Sequence, residues 1–351
     1  MVDITSRQFP TVSALLETEN LAGVLAEQEG EPIGSLTDLA DGSLQYVARY
    51  DTPHLLAPCD LQAIKAASVT FAKSMIERVV AELAAGDLQR ADAIREDITA
   101  VIGGALRDRV AGSAEAADVK RVLIARGLWS QYLEVGIGLD AGIFTKAQPM
   151  SAVGWGARVG LHPLSNWNNP EPEIVLAVSS RGQVRGACLG NDVNLRDVEG
   201  RSALLLGKAK DNNASAAMGP FIRVFDEGFS MTDVESAVIT LDIAGSGGFT
   251  SRETSCMSEI SRSPQNIVAQ TIGPHHQYPD GLMLYLGSMI APTQDRDAKG
   301  RGFTHHIGYI VSITSPALGT LVNTVDLSTA CDPWTFGVRA LMANLARRKL
   351  L

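Results

Sequence analysis

Cysteine is scarce in this sequence. The 351 residues contain four, Cys59, Cys188, Cys256 and Cys331, far apart and without a C-x-x-C pair. That spacing argues against a zinc knuckle or a thioredoxin-like motif. A chain of this length can bury a full core without disulfides or a structural metal. Cys188 lies in an apolar strand-like run and reads as a small buried hydrophobe rather than a nucleophile. Positive charge is also in deficit: 30 Lys and Arg face 39 Asp and Glu, a formal net charge of −9. Nucleic acid and anionic membranes both want a basic face, so neither is an expected partner. No apolar run approaches the roughly 20 residues of a membrane helix. Met1 to Pro10 lacks the basic start and apolar stretch of a signal peptide. A cytoplasmic, reducing location is therefore expected. There is no fixed-period repeat and no low-complexity tract.

What is abundant is glycine, 33 residues, concentrated after residue 135. The first part of the chain reads differently. Gly34 to Tyr50 resembles a short helix followed by a strand, ended by Asp51-Thr52-Pro53. A helical region follows, in which Met75, Val79 and Leu83, and then Ile94, Ile98 and Ile102, recur every four residues. From about residue 133 the texture turns to β. Leu133 to Ile137 reads as an apolar, glycine-rich strand. Ile174–Val178, Ala237–Ile243, Leu282–Leu286, Ile307–Thr314 and Leu318–Val325 are further strand candidates, and Thr335 to Arg348 is a closing helix. Helices early and strands late predict an α+β fold with a mixed or antiparallel sheet.

The most informative segment is Pro170-Glu171-Pro172-Glu173, followed by the apolar run Ile174 to Val178. Glutamates at i and i+2 of an extended chain point to one side, and Pro172 between them favours extended geometry. Two carboxylates on one face at the mouth of a core strand repel unless something neutralises them. A divalent cation is the usual solution. A second strand-like run follows the turn Ser179-Ser180-Arg181-Gly182 and leads into Gly190-Asn191-Asp192. A hairpin of two similar lengths returns Asp192 to the glutamates. Three carboxylates without His or Cys suit a hard cation: Mg²⁺, Mn²⁺ or Ca²⁺. A third segment, Gly207-Lys208-Ala209-Lys210, precedes Gly219-Pro220. A lysine beside such a site can bind a carboxylate or stabilise an enolate.

In this order, the E-x-E strand, the Gly190-Asn191-Asp192 segment with Arg196-Asp197, and the lysines before Gly219-Pro220 resemble the fumarylacetoacetate hydrolase superfamily. Ile143-Phe144-Thr145-Lys146 with Ser151, Gly287-Ser288, and Gly319-Thr320-Leu321-Val322-Asn323 resemble further elements of it. The resemblance covers roughly Leu56 to Val325. It implies a fumarylacetoacetase-like mixed β-roll catalytic core over 59–351, a helical insertion at about 74–112 and a smaller N-terminal α/β segment over 1–58. It also implies an Mg²⁺-type site at Glu171, Glu173 and Asp192, and a homodimer or homotetramer. Between the two lysines, spacing to the closing proline selects Lys210, whereas the Gly-Lys dipeptide would select Lys208.

The sequence departs from the hydrolases of the superfamily in one place. Where they carry the histidine of a water-activating Glu–His pair, Ser74 stands here. A serine hydroxyl cannot accept a proton at neutral pH as an imidazole can. The stretch Val69-Thr70-Phe71 to Arg78, with Gln131 to Gly138 and Phe303-Thr304-His305, is similar to the 2-keto-3-deoxypentonate (xylonate or arabinonate) dehydratase branch. That implies a hydro-lyase acting on a small 2-oxo acid. The cation acidifies the C3 hydrogens, the C4 hydroxyl leaves as water, and tautomerisation gives 2-oxoglutarate semialdehyde. Glu134 and Lys210 are the candidate bases. Glu134 is assigned on the expectation that its apolar strand desolvates it. Ser74 joins them in the catalytic set, and Arg78, Lys146 and Ser288 are candidate substrate contacts. Arg78 reads equally well as a helix salt-bridge partner, and Lys146 as a structural ion-pair partner. His275-His276 and His305-His306 read as loop residues, one of the second pair near a lid. Two rival readings are a diketo-acid hydrolase or decarboxylase on the same fold and a non-catalytic sugar-acid sensor; turnover separates them.

Overall fold

The computed structural model describes residues 1–44, 52–71, 75, 79, 94, 96–97, 111–292, 294–295 and 302–351. Its longer strands are β1 (Ala63–Ser68), β2 (Gly142–Ala147), β3 (Arg158–Leu161), β4 (Pro172–Val178), β5 (Val184–Asp192), β6 (Ala216–Val224), β7 (Val238–Ala244), β8 (Thr250–Cys256), β9 (Leu282–Tyr285), β10 (Ile310–Ser315) and β11 (Gly319–Leu327). They form two sheets. The six-stranded sheet runs β6-β5-β4-β9-β1-β2 and the five-stranded sheet β8-β7-β10-β11-β3. Each is mixed: β9 is parallel to β1 and β11 parallel to β3, and the other pairs are antiparallel.

The six-stranded sheet is the middle layer. Ile174, Leu176 and Val178 of β4 face the second sheet and share a core with Ile239, Leu241, Ile313 and Leu321. Val175 and Ala177, alternating with them, join Cys188, Met283 and Tyr285 in a core completed by Leu16 and Leu21 of the N-terminal segment. A strand buried on both faces needs an unbroken apolar run, which explains the texture of β4. The N-terminal segment is tied down by carboxylates. Asp60 accepts the N–H groups of Val12 and Ser13 at 2.5 and 3.0 Å, at the start of helix Val12–Leu16. Glu17 accepts from the Ser180 N–H and hydroxyl in the β4–β5 turn.

A third core joins Met75, Val79 and Ile94 to Leu123, Leu128, Leu133 and Ile137. Gln131–Ile137 is a helix rather than a strand, begun by Ser130, whose hydroxyl accepts the Tyr132 N–H. Leu133, Gly136 and Ile137 are its buried residues, the i, i+3, i+4 spacing of a helix face. Gly136 lets Met75 approach, because a Cβ there would stand 2.3 Å from the Met75 methyl. Of the expected helix and strand over Gly34 to Tyr50, the helix is Leu36–Leu44; residues 45–51 lie outside the described residues, as does most of the 74–112 insertion. The closing helix is Val338–Arg347.

Candidate metal centre

The site grows from the register of the β4–β5 hairpin. Pro172 stands opposite Asn191 and Glu173 opposite Gly190. One step beyond Pro172, the Asp192 N–H donates to the Glu171 carbonyl at 2.9 Å. Side chains alternate along both strands, so Glu171, Glu173 and Asp192 fall on one face. One carboxylate oxygen from each lies within 4.8 Å of the others. Gly190 is part of the design: a Cβ there would meet the Tyr285 ring at 2.4 Å and Val175 at 2.5 Å. The ring sits in that space, and its hydroxyl donates to the Ala217 carbonyl at 2.7 Å.

All three carboxylates are buried, and two lysines are buried with them. Lys210 Nζ donates to Glu171 Oε2 at 2.6 Å and to Asp192 Oδ2 at 2.9 Å. Lys146 Nζ lies 2.9 Å from Asp192 Oδ1. That contact is an ion pair without hydrogen-bond alignment, because Oδ1 receives no directed hydrogen bond. Lys146 also donates to the carbonyls of Val193 and Lys210 and to the Ser215 hydroxyl. These partners take up its N–H groups and tie Lys146 to Asp192 and the Lys210 backbone, the ion-pair arrangement that its sequence context also allows. Lys208, the rival of Lys210, is exposed.

Glu173 is held differently. Its Oε2 accepts the Gly287 N–H at 2.7 Å, and its Oε1 lies 3.4 Å from the Ser288 hydroxyl. Gly287 has φ +103°, and a Cβ there would sit 2.0 Å from the Thr70 hydroxyl oxygen, so only glycine delivers that N–H. Burial pushes the Glu173 carboxyl well above the ordinary range, and the charges of Asp192 and Glu171 add to the effect. Burial pulls the Lys146 ammonium down, opposed by Asp192.

The donor set fits a hard divalent cation. It is all carboxylate oxygen, close-set and dry. Among the clustered groups alone, three carboxylates against two ammonium groups leave one formal negative charge. A divalent cation turns this into one positive charge, which a single substrate carboxylate would neutralise. Asn169 Oδ1 and Asn191 Nδ2, flanking the acids, are buried without a hydrogen-bond partner. Such orphaned groups mark a polar shell that still has donors and acceptors to offer.

Glu134 is not desolvated as the sequence reading expected. Its side chain is 45% exposed on the solvent side of its helix and pairs with Lys120 at 2.5 Å. The helical period turns it outward, whereas a strand in the core would have buried it. Ser74 and Arg78 lie outside the described residues. His305 lies in a loop, as expected, and is buried there, with both ring nitrogens unpartnered. Burial, with His306 beside it, lowers its pKa to about 3. Asn194 and Glu199, both buried, also reach the cluster: the Asn194 amide donates to Glu171 and to Glu199. The only sequence signal for Asn194 is its spacing two residues after Asp192.

No family model matches the chain. A solved structure of 2-keto-3-deoxy-D-arabinonate dehydratase complexed with magnesium and 2,5-dioxopentanoate superposes with a TM-score of 0.62, covering 90% of this chain and 89% of that one at 21% identity. This chain has the fumarylacetoacetate hydrolase fold. In sequence it is similar to 2-dehydro-3-deoxy-D-arabinonate dehydratase of Saccharolobus solfataricus, 31% identical over 183 residues, 52% of this chain and 58% of the relative. It is also similar to a probable 2-keto-3-deoxyxylonate dehydratase of Haloferax volcanii, 29% identical over 183 residues, 52% of this chain and 59% of the relative. The match thus spans less than two thirds of the length of these curated relatives.

Proposed function

We propose that the chain is a divalent-cation-dependent hydro-lyase for a 2-keto-3-deoxy sugar acid, releasing one water and leaving 2,5-dioxopentanoate (2-oxoglutarate semialdehyde) from a five-carbon substrate. The observation that carries the reading is the buried cluster of Glu171, Glu173 and Asp192 beside Lys210 and Lys146. The names of the similar proteins give the substrate class. Magnesium in the solved relative's complex favours Mg²⁺ over Mn²⁺ or Ca²⁺.

In this reading Glu171, Glu173 and Asp192 hold the cation. When bound, it supplies a Lewis acid that polarises the C2 ketone of a chelating 2-oxo acid and so acidifies C3. The chain's own residues do the rest. Lys210 Nζ, which donates to Glu171 and Asp192, is the group placed to steady the enolate as an ammonium, and it would take a C3 proton only as the neutral amine. It is preferred to Glu134, which lies on an exposed helix face. Ser288, beside Glu173, is placed to hold a substrate hydroxyl or carboxylate. Ser74 and Arg78 complete the proposed set. Loss of the C4 hydroxyl with the C3 proton accounts for one water, and migration of the double bond toward C5 gives the aldehyde.

No helix among the described residues is long and apolar enough to cross a membrane; a cytoplasmic location belongs to this proposal. So does a homodimer or homotetramer. Exposed Trp334, Phe336, Val338 and Met342 on and before the closing helix are a candidate contact face, and light scattering of the pure protein tests it. Turnover of 2-keto-3-deoxy-D-xylonate, 2-keto-3-deoxy-D-arabinonate and acylpyruvates, with Mg²⁺ and with chelator, tests the chemistry. Semialdehyde formation from the sugar acids that stops on chelation is expected. Cleavage of acylpyruvates alone, or turnover untouched by exhaustive chelation, would overturn the reading.

A further inference from the structure

A fourth buried carboxylate stands just outside the three-acid cluster. Glu199 closes the short helix Arg196–Glu199 and is buried although it is not among the three clustered acids. A buried carboxylate outside the ligand set needs a partner and a reason. One partner is Asn194, whose Nδ2 donates to Glu199 Oε2 at 2.7 Å and to Glu171 Oε1 at 3.0 Å. Asn194 is itself fully buried, on the two-residue strand Asn194–Leu195 that pairs with Asn168–Asn169.

Ionised carboxylates are acceptors only. With one on each side, the amide has a single tolerable orientation: both its N–H groups face the two carboxylates. A flip would set Asn194 Oδ1 against two carboxylate oxygens. Glu171 is thereby gripped at every polar atom. Its Oε1 receives Asn194, its Oε2 receives Lys210, and its backbone N–H donates to Asn191 Oδ1 at 3.1 Å. Glu173 and Asp192 are gripped by other elements and do not depend on this chain of contacts.

We propose that Asn194 and Glu199 are positioning residues that fix the Glu171 carboxylate for a divalent cation, with Glu199 setting the amide and the amide setting the ligand. The inference rests on the cation reading of the cluster. Residues that orient metal ligands in this way typically contribute ten- to hundredfold in metal affinity.

The test is Mg²⁺ titration calorimetry on the full chain, with circular dichroism to verify folding, so the readout is affinity rather than turnover. Asn194→Ala is expected to weaken Mg²⁺ binding by about ten- to hundredfold. Glu199→Gln, which keeps an acceptor for the amide, should stay within about threefold of wild type, and Glu199→Ala should fall at least about tenfold below Glu199→Gln. If Asn194→Ala does not fold, the comparison of Glu199→Gln with Glu199→Ala decides alone. Wild-type binding with unchanged affinity in Asn194→Ala, or equal affinity in the two Glu199 variants, overturns the clamp and leaves the metal site standing. A wild-type protein that binds no divalent cation overturns both.

Discussion

The two sheets obey different rules. In β4 of the six-stranded sheet every position is buried, whereas in β7 of the five-stranded sheet exposed and partly exposed residues alternate with buried Ile239, Leu241 and Ile243. The first sheet lies between two layers and the second has one face toward water. A charge at the end of β7 finds solvent. At the start of β4 it must find a partner, because taking an ion from water costs several kcal/mol even after the protein relaxes. The sheet that cannot hydrate its acids is the one that carries three of them. This contrast ties the core architecture to the proposed chemistry.

The sharpest way to break it is to remove the acid that both lysines share. Asp192→Asn leaves Lys146 without its carboxylate and Lys210 with one fewer. Losing one partner of a buried pair costs about 3–5 kcal/mol, to be read from urea unfolding of the chelated protein, and Mg²⁺-dependent turnover should vanish with it. A variant within 1 kcal/mol of wild type, by the same estimate, would mean that the cluster is solvated after all.

Glu173→Gln should act in the opposite sense on stability. Burial raises the Glu173 carboxyl above its ordinary value, so ionising it works against folding in the metal-free protein. A neutral amide removes that burden, and the chelated variant should gain about 0.5–2 kcal/mol at pH 8 while losing the rise in Tm that Mg²⁺ gives the wild type. The same shift sets a pH dependence. A carboxyl raised in the folded state contributes its full stability below the unfolded value, near 4.5. That contribution is lost as pH rises through the folded value. Stability of the chelated wild type should therefore decline from about pH 5 upward relative to Glu173→Gln. Saturating Mg²⁺, which replaces the proton, should flatten the difference. A Tm difference independent of pH would contradict this.

Smaller effects are expected away from the buried layer. Glu134→Gln breaks a half-exposed pair with Lys120, worth less than about 1 kcal/mol. If Lys210 rather than Glu134 moves the C3 proton, turnover should also change by less than about tenfold; a loss of two to four orders of magnitude, the usual worth of a general base, would return that role to Glu134. Smallest of all, Thr240→Ala removes the exposed cross-strand contact with Thr254 on the second sheet and should stay within about 0.5 kcal/mol.

How far the sequence could be read follows the same division. Glu171, Glu173 and Asp192 could be placed on one face because strand alternation is a rule of two and the hairpin turn fixes its register. The preference for Lys210 over Lys208 comes from the spacing to Pro220 that the family resemblance implies, and the structure brings Lys210 to the acids. The exposure of Glu134 is not legible because Leu133 to Ile137 is short and apolar, and a strand and a buried helix look alike over so few residues. The surroundings of Lys146 are not legible, since nothing in one strand says which backbone carbonyls will surround a lysine. Asn194 and Glu199 had no signal beyond proximity to Asp192.

By itself, then, the sequence determined what is periodic or local. It placed the apolar run of β4, the acids at its mouth and the α+β texture. The tertiary structure decided what depends on neighbours distant in the chain: that both faces of β4 are covered, that Glu134 looks outward, that Lys146 is fully engaged, and that Glu199 grips Glu171 through an amide. The reason is physical. Alternation and turn geometry are properties of adjacent residues, whereas burial and the partners of a charge are set by whichever segments fold against it.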